Sequence, residues 1–212
     1  KSLIVGQFAV SVFLIIYTLV ILQQMDFIRN KNLGYNKDHV VVLPISGNML
    51  DNFETFKYGL EQVSGVQSVT ASYETPEFVE WGDGVNVVDE NGKHDISINA
   101  MPIDLDFVNT LGMEMAAGRD FIQSDFALKD TTDNSANYQQ PYLINETLAK
   151  QIGWTPDEAI GRTISKGALG PVIGVVKDFN FSSLHEPVGP LLMFLERNFS
   201  RNYMLRISDS NI

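Results

Sequence analysis

Histidine and acidic residues are the side chains of this 212-residue chain whose types suit metal or acid–base chemistry. The three histidines are His39, His94 and His185. They are far apart and form no H-E-x-x-H pair, whereas zinc ligands come in clusters. The densest acidic stretch carries Asp125, Asp130 and Asp133, but it lacks the D-x-D-x-D-G spacing of a calcium-binding loop. The sequence therefore predicts no metal site.

No nucleotide-binding or nucleophile motif is present in the sequence. It contains no G-x-x-x-x-G-K-[ST] phosphate loop, no G-x-G-x-x-G turn and no G-x-S-x-G elbow. It also contains no cysteine, which excludes disulfides, thiol catalysis and cysteine-ligated zinc. Charges lie beside apolar stretches at 118–120 and 177–181, yet neither stretch pairs a nucleophile with a base. We therefore expect neither enzymatic activity nor a cofactor.

The charges are distributed unevenly along the chain. No charged residue lies between Lys1 and Asp26, while the whole chain has 26 Asp and Glu against 15 Lys and Arg, a formal net charge of −11. A surface this acidic repels phosphate backbones and anionic lipid headgroups. Nucleic acid is therefore not expected as a partner.

An uncharged apolar run extends from Leu3 to Leu22 and predicts a transmembrane helix at residues 1–24. Twenty helical residues rise about 30 Å, which is the hydrocarbon thickness of a bilayer, and the run is apolar on every face. A signal peptide is one alternative, but its core is shorter and ends in small residues, whereas this run ends in Gln23-Gln24-Met25. A buried core helix is the other.

Orientation in the membrane is left open by the residues themselves. Arg29, Lys31 and Lys37 follow the apolar run, and a count of positive charges places that side in the cytoplasm. A long following domain, however, crosses a membrane largely regardless of its flanking charges.

The remaining sequence alternates short β-branched strands with short helices, which predicts an α+β fold. Residues 25–38 are predicted as a polar helical connector that stops at Gly34. Predicted helices are Asp51–Ser64 with Asp51 and Glu54 as a capping pair, Asp104–Leu111 with Asp104 and Asp106 at its start, and Asn145–Ile152 capped by Asn145. Predicted strands are His39–Pro44, Val66–Tyr73, Pro171–Val176, Leu191–Leu195 and Tyr203–Ile207.

Between these elements the sequence predicts a hairpin and a loop. Residues 84–89 and 95–101 form the hairpin arms around an Asn91-Gly92 turn, and residues 120–140 form a long exposed loop. The order of elements further predicts that the chain begins one lobe at 39–75, builds an inserted second lobe at 76–168 and returns to the first at 169–212. Contacts between 39–73 and 170–207 are expected from that return.

Five stretches of the sequence, in this order, resemble the MacB/FtsX-like family of ABC-transporter permeases, especially its Bacteroidetes-type members. They are Val5–Ser11, Phe27–Asn36, Gly118–Phe121, Ile144–Ala149 with Ile152–Trp154, and Val172–Pro187. The resemblance spans nearly the whole chain and concerns the family's extracytoplasmic domain, with one membrane helix ahead of it. The chain ends at Ile212, where family members continue into the rest of the first lobe and further membrane helices, so the resemblance identifies it as a fragment.

The resemblance implies a periplasmic domain with two lobes, a porter-like lobe and an inserted second lobe, following a helix in the inner membrane. It implies no chemistry in this chain, because a cytoplasmic ABC ATPase subunit drives the cycle. Further implied partners are a second permease, in a homodimer or heterodimer, membrane lipid, and periplasmic or outer-membrane proteins. The function implied is coupling of ATP-driven motion to export or to another periplasmic event. A single-span sensor or ligand-binding domain is the alternative function.

Residues 178–184 carry the candidate functional contact. Phe179 and Phe181 alternate with Asp178 and Asn180, so in an extended segment the aromatics point to one side and the polar residues to the other. We predict Asp178, Phe179, Asn180, Phe181 and Leu184 as an interlobe or subunit contact. Simple core packing of the aromatics is the alternative, since buried aromatics usually serve a core. Gly174, inside the preceding strand, predicts a close approach of a neighbouring element.

Overall fold

The computed structural model describes residues 2–89, 92–129, 139–184 and 186–208. It confirms a mixed α+β chain with an apolar N-terminal helix. The chain divides into two units, Lys1–Leu33 and Gly34–Ile212. In the described residues, the first unit is a helix and the second contains a ten-stranded mixed sheet with four short helices.

Helix α1, Ser2–Asn30, forms the first unit. Its segment Leu3–Ile28 is long and apolar enough to cross a membrane, and none of its apolar core is buried in the protein. The helix therefore runs through the first six residues of the predicted connector. The helix ends at Asn30, before the predicted stop at Gly34, and residues 31–38 are irregular, with Gly34 at a φ of 85°.

The strands and helices of the second unit are short. The strands are β1 Val40–Pro44, β2 Val66–Ser72, β3 Gly82–Asp89, β4 Gly92–Ile103, β5 Met115–Gly118, β6 Tyr142–Asn145, β7 Thr163–Lys166, β8 Ala168–Val176, β9 Leu191–Leu195 and β10 Asn202–Ile207. The helices are α2 Phe53–Glu61, α3 Phe107–Thr110, α4 Glu146–Ile152 and α5 Pro156–Ala159. The β3–β4 hairpin confirms the predicted one with longer arms, and Asn91 of its predicted turn lies outside the described residues.

Strands β1 and β2 flank β10, and both are antiparallel to it. Because α2 connects β1 to β2, these elements form a split β-α-β unit with the last strand of the chain at its centre. Its apolar core consists of Phe53, Val69, Ala71, Tyr203 and Leu205. The hydroxyl of Tyr203 donates a hydrogen bond to the carbonyl of Phe53 at 3.1 Å, which ties β10 to the start of α2.

The other strands pair in the order β4-β3-β7-β8-β6-β9, and β9 also pairs with β4, so these six strands form a closed circuit. Strand β5 pairs with β8 outside the circuit. A larger apolar core fills this part, including Val85, Tyr142, Ile144, Val175 and Phe194. In the part of the chain that the structure describes, one pair of residues, Ser72 with Ile103, joins the circuit to the split β-α-β unit by strand pairing.

The pairing of β10 with β1 and β2 is the long-range contact that the predicted return of the chain requires. Strands β8 and β9, however, pair with strands from 76–168. By strand pairing, the chain returns to the first lobe only after β9, whereas the prediction placed this return at residue 169. The lobe bounds themselves stay predictions.

Candidate functional site: a junction around Phe179

Residues 177–182, here called the junction, follow β8 as an irregular segment. Phe179 is fully buried and Phe181 nearly so, and their rings meet edge to face at 5.6 Å. Asp178, Asn180 and Leu184 are half-buried. Both aromatics therefore point into the protein, and the polar residues between them stay closer to the surface.

Gly34 and Tyr35 pack against Phe179. A Cβ atom on Gly34 would lie 2.7 Å from the Cα and Cβ atoms of Phe179, so only glycine fits this close approach. The Tyr35 ring meets the Phe179 ring edge to face at 6.1 Å. Burial raises the pKa of Tyr35, and the Glu77 carboxylate adds to the rise, so its hydroxyl stays protonated. The residues that follow α1 in the chain are thus fixed to the junction.

Asp178 connects the junction to the start of α4. Its carboxylate accepts hydrogen bonds from the Thr147 N–H at 3.0 Å, the Thr147 hydroxyl at 2.7 Å and the side-chain amide of Asn145 at 2.8 Å. Its own N–H donates to the Glu146 carboxylate at 3.0 Å. A carboxylate at a helix N-terminus is favourably placed, because it accepts from otherwise unpaired N–H groups.

Asn145 confirms the predicted cap of α4 and binds more than the helix. Its side-chain oxygen accepts from the N–H of Leu148 at 3.0 Å and from the N–H of Leu191 at 2.9 Å. Its amide donates to the carbonyl of Gly189 at 2.9 Å as well as to Asp178. One side chain therefore holds together α4, the start of β9 and the junction.

The five predicted contact residues lie close together along the chain. Three of them make hydrogen bonds or packing contacts with other parts of this domain. Asp178 binds α4, Phe179 binds Gly34 and Tyr35, and the carbonyl of Phe181 accepts from the N–H of Val79 at 3.0 Å. Asn180 and Leu184 are only half-buried. Their role as an interlobe or subunit contact stays a prediction, while the packing of the two aromatics within this domain is a structural fact.

Gly174 confirms the predicted close approach in β8. A Cβ atom there would collide with the carbonyl oxygen of Arg119 and with the side chains of Met115 and Leu143. Gly118, at a φ of 73°, approaches the backbone of Ile173 and Gly174 equally closely. The Gly-Arg-Asp stretch therefore packs directly on the strand that leads into the junction.

The loop after β5 is more ordered than the predicted exposed loop at 120–140. Residues Gln123–Lys129 form a 3-10 helix, and Phe121 and Asp125 are buried. The Arg119 guanidinium donates two hydrogen bonds to Asp125, at 2.7 and 2.8 Å. Asp130 and Asp133 lie outside the described residues, as does His185, while His39 and His94 are exposed, the first before β1 and the second within β4.

Two carboxyl groups in this loop have pKa values shifted in opposite directions. Burial raises the pKa of Asp120 to about 6; the N–H of Phe121 opposes this rise and the Asp106 carboxylate adds to it. Burial also opposes ionisation of Asp125, but the Arg119 guanidinium and the Ile122 N–H outweigh it and lower the pKa of that carboxyl.

A buried ion-pair cluster, missed by the sequence analysis, surrounds Asp104. The fully buried Asp104 carboxylate binds the Lys57 ammonium at 2.7 Å and the Arg197 guanidinium at 2.6 Å. Arg197 also pairs with Glu54 and lies 3.9 Å above the Phe126 ring. The cluster joins α2, the segment after β4 and the turn before β10.

The predicted capping roles of Asp51, Glu54 and Asp104 are wrong, whereas Asp106 does occupy the N-cap position of α3. Helix α2 begins at Phe53 after Asn52, so Asp51 does not cap it, and Glu54 contacts Arg197. Helix α3 begins at Phe107, and Asp106 precedes it without a side-chain capping bond. Asp104 is instead an ion-pair partner. The signal that could have revealed it is Lys57, four residues after Phe53 on the apolar stripe of α2, because a cation on a buried face requires a partner.

The fold of this chain is similar to those of three solved structures. The periplasmic region of MacB from Actinobacillus actinomycetemcomitans is 18% identical, with 86% of this chain and 80% of that chain covered at a TM-score of 0.53. The extracellular domain of the noncanonic ABC-type transporter YknZ from Gram-positive bacteria is 18% identical, covering 81% and 83% at a TM-score of 0.47. A domain assigned to a permease protein from Porphyromonas gingivalis is 15% identical, covering 82% and 75% at a TM-score of 0.46.

No protein-family model matches the sequence, and no curated protein matches it. The likeness to MacB therefore lies in the structure more than in the sequence. It establishes that this chain has the fold of the MacB periplasmic region, which confirms the fold expected from the sequence resemblance.

Proposed function

We propose that this chain is the extracytoplasmic domain, with one membrane span, of an ABC-transporter permease. In this proposal the domain couples motion driven by a partner ATPase to export or to another event beyond the membrane. The observation that carries the proposal is the likeness to the MacB periplasmic region over 86% of the chain. A fold hosts several functions, so the proposal also depends on the properties of α1 and of the junction.

Helix α1 supports a location in the inner membrane with the domain in the periplasm. Its 26-residue apolar segment rises about 39 Å, more than the roughly 30 Å of a bilayer core. An apolar helix that buries none of its surface in protein requires another apolar solvent, and lipid supplies it. The proposal that the domain lies on the periplasmic side of the membrane depends on the likeness to MacB, because the positive charges that flank α1 leave the orientation open.

The junction supports transmission of motion. The segment after α1 is held by Gly34 and Tyr35 on Phe179, by the N–H of Asn36 to the Leu111 carbonyl at 2.7 Å, and by the Arg206 guanidinium to the Asn36 carbonyl at 2.8 Å. A displacement of the chain at Gly34 is therefore passed to packed residues, since close-packed interiors transmit strain. The sequence has no phosphate loop, so the proposal assigns ATP hydrolysis to a cytoplasmic partner subunit and no reaction to this chain.

The proposed location is tested by single-cysteine labelling. Because the chain has no cysteine of its own, only the introduced residue reacts. Ser11→Cys lies within α1, and Glu61→Cys lies at the exposed end of α2. In intact spheroplasts a membrane-impermeant maleimide is expected to label Glu61→Cys and to label Ser11→Cys only after detergent is added. Equal labelling of both variants before detergent would contradict the membrane span. Labelling of Glu61→Cys only after lysis would contradict the periplasmic side.

The proposed coupling is tested by copurification of the full-length protein with its ATPase. Phe179→Leu removes the ring that contacts Tyr35, while Phe78→Leu changes a 60% exposed ring and serves as the matched control. We expect both variants to retain the ATPase and only Phe179→Leu to change the ATP hydrolysis rate of the complex. Absence of any copurifying ATPase would favour the single-span sensor instead.

A further inference from the structure

An open pocket of about 580 Å³ lies between the loop after β2 and the turn before β10. It is lined by Tyr73, Glu74, Glu80, Trp81, Phe199 and Arg201. None of these residues belongs to the junction, and the proposed coupling does not use them. Arg201 lies over the Tyr73 ring, and the Lys166 ammonium lies 5.6 Å from the centroid of the Trp81 ring. Phe199 is therefore the ring that remains for a further cation beside the carboxylates.

The aromatic wall of the pocket is fixed by contacts among its rings. Trp81 meets Tyr73 at 5.0 Å and Phe199 at 5.6 Å between ring centroids. The Arg201 guanidinium lies 4.1 Å above the Tyr73 ring, which shows that this wall already accommodates a guanidinium. Phe199 is 47% exposed, so the wall continues to the protein surface.

The two carboxylates of the pocket have different surroundings. Glu74 accepts hydrogen bonds from the N–H groups of Glu80 at 3.1 Å and Trp81 at 3.3 Å, which fixes the loop that carries them. Glu80 is exposed, and in the described part of the chain its carboxylate makes no hydrogen bond or ion pair. Glu80 is therefore the carboxylate available to a ligand, and carboxylates outnumber the one guanidinium of the lining.

We propose that this pocket binds an arginine side chain, flanked by apolar residues, of a partner protein. A guanidinium can stack on the exposed aromatic face and pair with Glu80 at the same time, because it is planar and donates in a fork. Apolar neighbours of that arginine would cover the rest of Phe199, which is 47% exposed. The formal net charge of −11 favours a basic partner surface. A pocket with exposed walls suits an inserted side chain, whereas small-molecule sites enclose most of their ligand.

The test uses Trp81 as a fluorescent reporter in the detergent-solubilised full chain. Trp154→Phe removes the second of the two tryptophans and provides the parent for all other variants. The probe is the capped tripeptide Leu-Arg-Leu, and the comparison probes are capped Leu-Glu-Leu and acetyl-arginine amide. We expect a saturable change in Trp81 emission with Leu-Arg-Leu and much weaker binding of the other two.

Three substitutions distinguish the pocket from general charge attraction. Glu80→Gln and Phe199→Leu are each expected to weaken Leu-Arg-Leu binding by about threefold or more, since each removes one of the two groups that contact the cation. Glu61→Gln makes the same change in net charge at an exposed position of α2 and is expected to leave binding unchanged. Thermal unfolding of each variant checks that it is folded. If Phe199→Leu does not fold, Glu80→Gln alone decides the test, because Glu80 is exposed and its substitution leaves the fold intact.

The proposal is overturned by any of four results. These are no saturable signal, equal or tighter binding of Leu-Glu-Leu, an equal loss in Glu61→Gln and Glu80→Gln, or binding of acetyl-arginine amide as tight as that of Leu-Arg-Leu. The last result would make the pocket a site for small organic cations.

Discussion

Gly34 shows how one residue position connects two sequence stretches that are far apart in the chain. Its φ of 85° and its contact with the backbone of Phe179 both require the absence of a Cβ atom. Each stretch is recognisable in the sequence by itself. Their contact is not, because nothing local in either stretch records a partner about 145 residues away.

Gly34→Ala is expected to destabilise the chain by roughly 2–4 kcal/mol, because left-handed strain of about 1 kcal/mol adds to the collision with Phe179. Gly153→Ala is the matched control: its φ is 94°, but no atom lies within 4 Å of its added Cβ. Thermal unfolding in detergent should give a clearly larger loss for Gly34→Ala. Equal losses would show that the packing against Phe179 contributes nothing.

Asp120 provides a pH-dependent prediction at the same scale. Its folded pKa of about 6 lies above the unfolded value of about 4, so the folded state holds a proton that the unfolded state releases as pH rises through this window. The carboxyl therefore destabilises the fold above pH 6. Asp120→Asn should raise the melting temperature by a few °C at pH 7.5 and leave it unchanged near pH 4.

The control for Asp120 is Asp125→Asn, for which the sign is opposite. The pKa of Asp125 is lowered, so its stabilisation is present above the unfolded pKa and is lost as pH falls through the lower folded value. Asp125→Asn should therefore lower the melting temperature at pH 7.5. A destabilised Asp120→Asn at pH 7.5 would contradict the raised pKa.

Helix α2 is held to the rest of the fold by a buried charge as well as by apolar packing. The side chain of Lys57 is 8% exposed and that of its partner Asp104 is fully buried. Removing one member of such a pair leaves an incompletely paired charge in a medium of low dielectric constant, which is costly.

Lys57→Met should cost roughly 2–4 kcal/mol, because Arg197 remains to pair with Asp104 and limits the loss. Lys177→Met breaks the exposed pair with Glu114, in which the two side chains are 54% and 72% exposed, and should change the free energy of unfolding far less, because solvent screens this pair. Denaturant unfolding measures both changes. Similar values for the two variants would contradict a role of burial in the Lys57 pair.

The elements differ in how well the sequence predicts them. Strand β8 follows from its β-branched run, β9 from a short continuous apolar run and the β3–β4 hairpin from alternation, while the cap of α4 follows from Asn145. The cap predicted from Asp51 failed because α2 begins after Asn52, and Asp104 is an ion-pair partner of Lys57, whereas Asp106 lies at the N-cap position of α3 without a side-chain capping bond. Local spacing does not distinguish the two roles.

For the whole molecule, the sequence predicts the class of fold but not the closure of the strand circuit. The parallel pairing of β4 with β9 brings together residues about 92 positions apart, and no turn signal marks it. The aromatic pocket was missed for the same reason, since Trp81 and Arg201 meet only in the folded chain.

The division into two units predicts different behaviour for shortened chains. A chain that begins at Gly34 lacks α1 and should remain in solution without detergent, whereas the full chain should require detergent or lipid. A chain that begins at Lys37 also loses Tyr35, which packs on Phe179, and should melt several °C lower than the one that begins at Gly34. Size-exclusion chromatography and thermal unfolding measure these outcomes. A full chain that is monomeric in plain buffer would contradict the exposed apolar helix.

The central position of β10 has a consequence for biosynthesis. Strands β1 and β2 are synthesised about 160 and 130 residues before β10, which at ordinary elongation rates is a delay of roughly ten seconds. Until then, among the described strands, β1 has no partner and β2 has only the single pair of Ser72 with Ile103, so their unpaired edges are exposed to other chains. Chaperones that bind extended apolar polypeptide, in the compartment where the domain folds, should therefore associate with residues 40–72 until β10 has reached the same compartment.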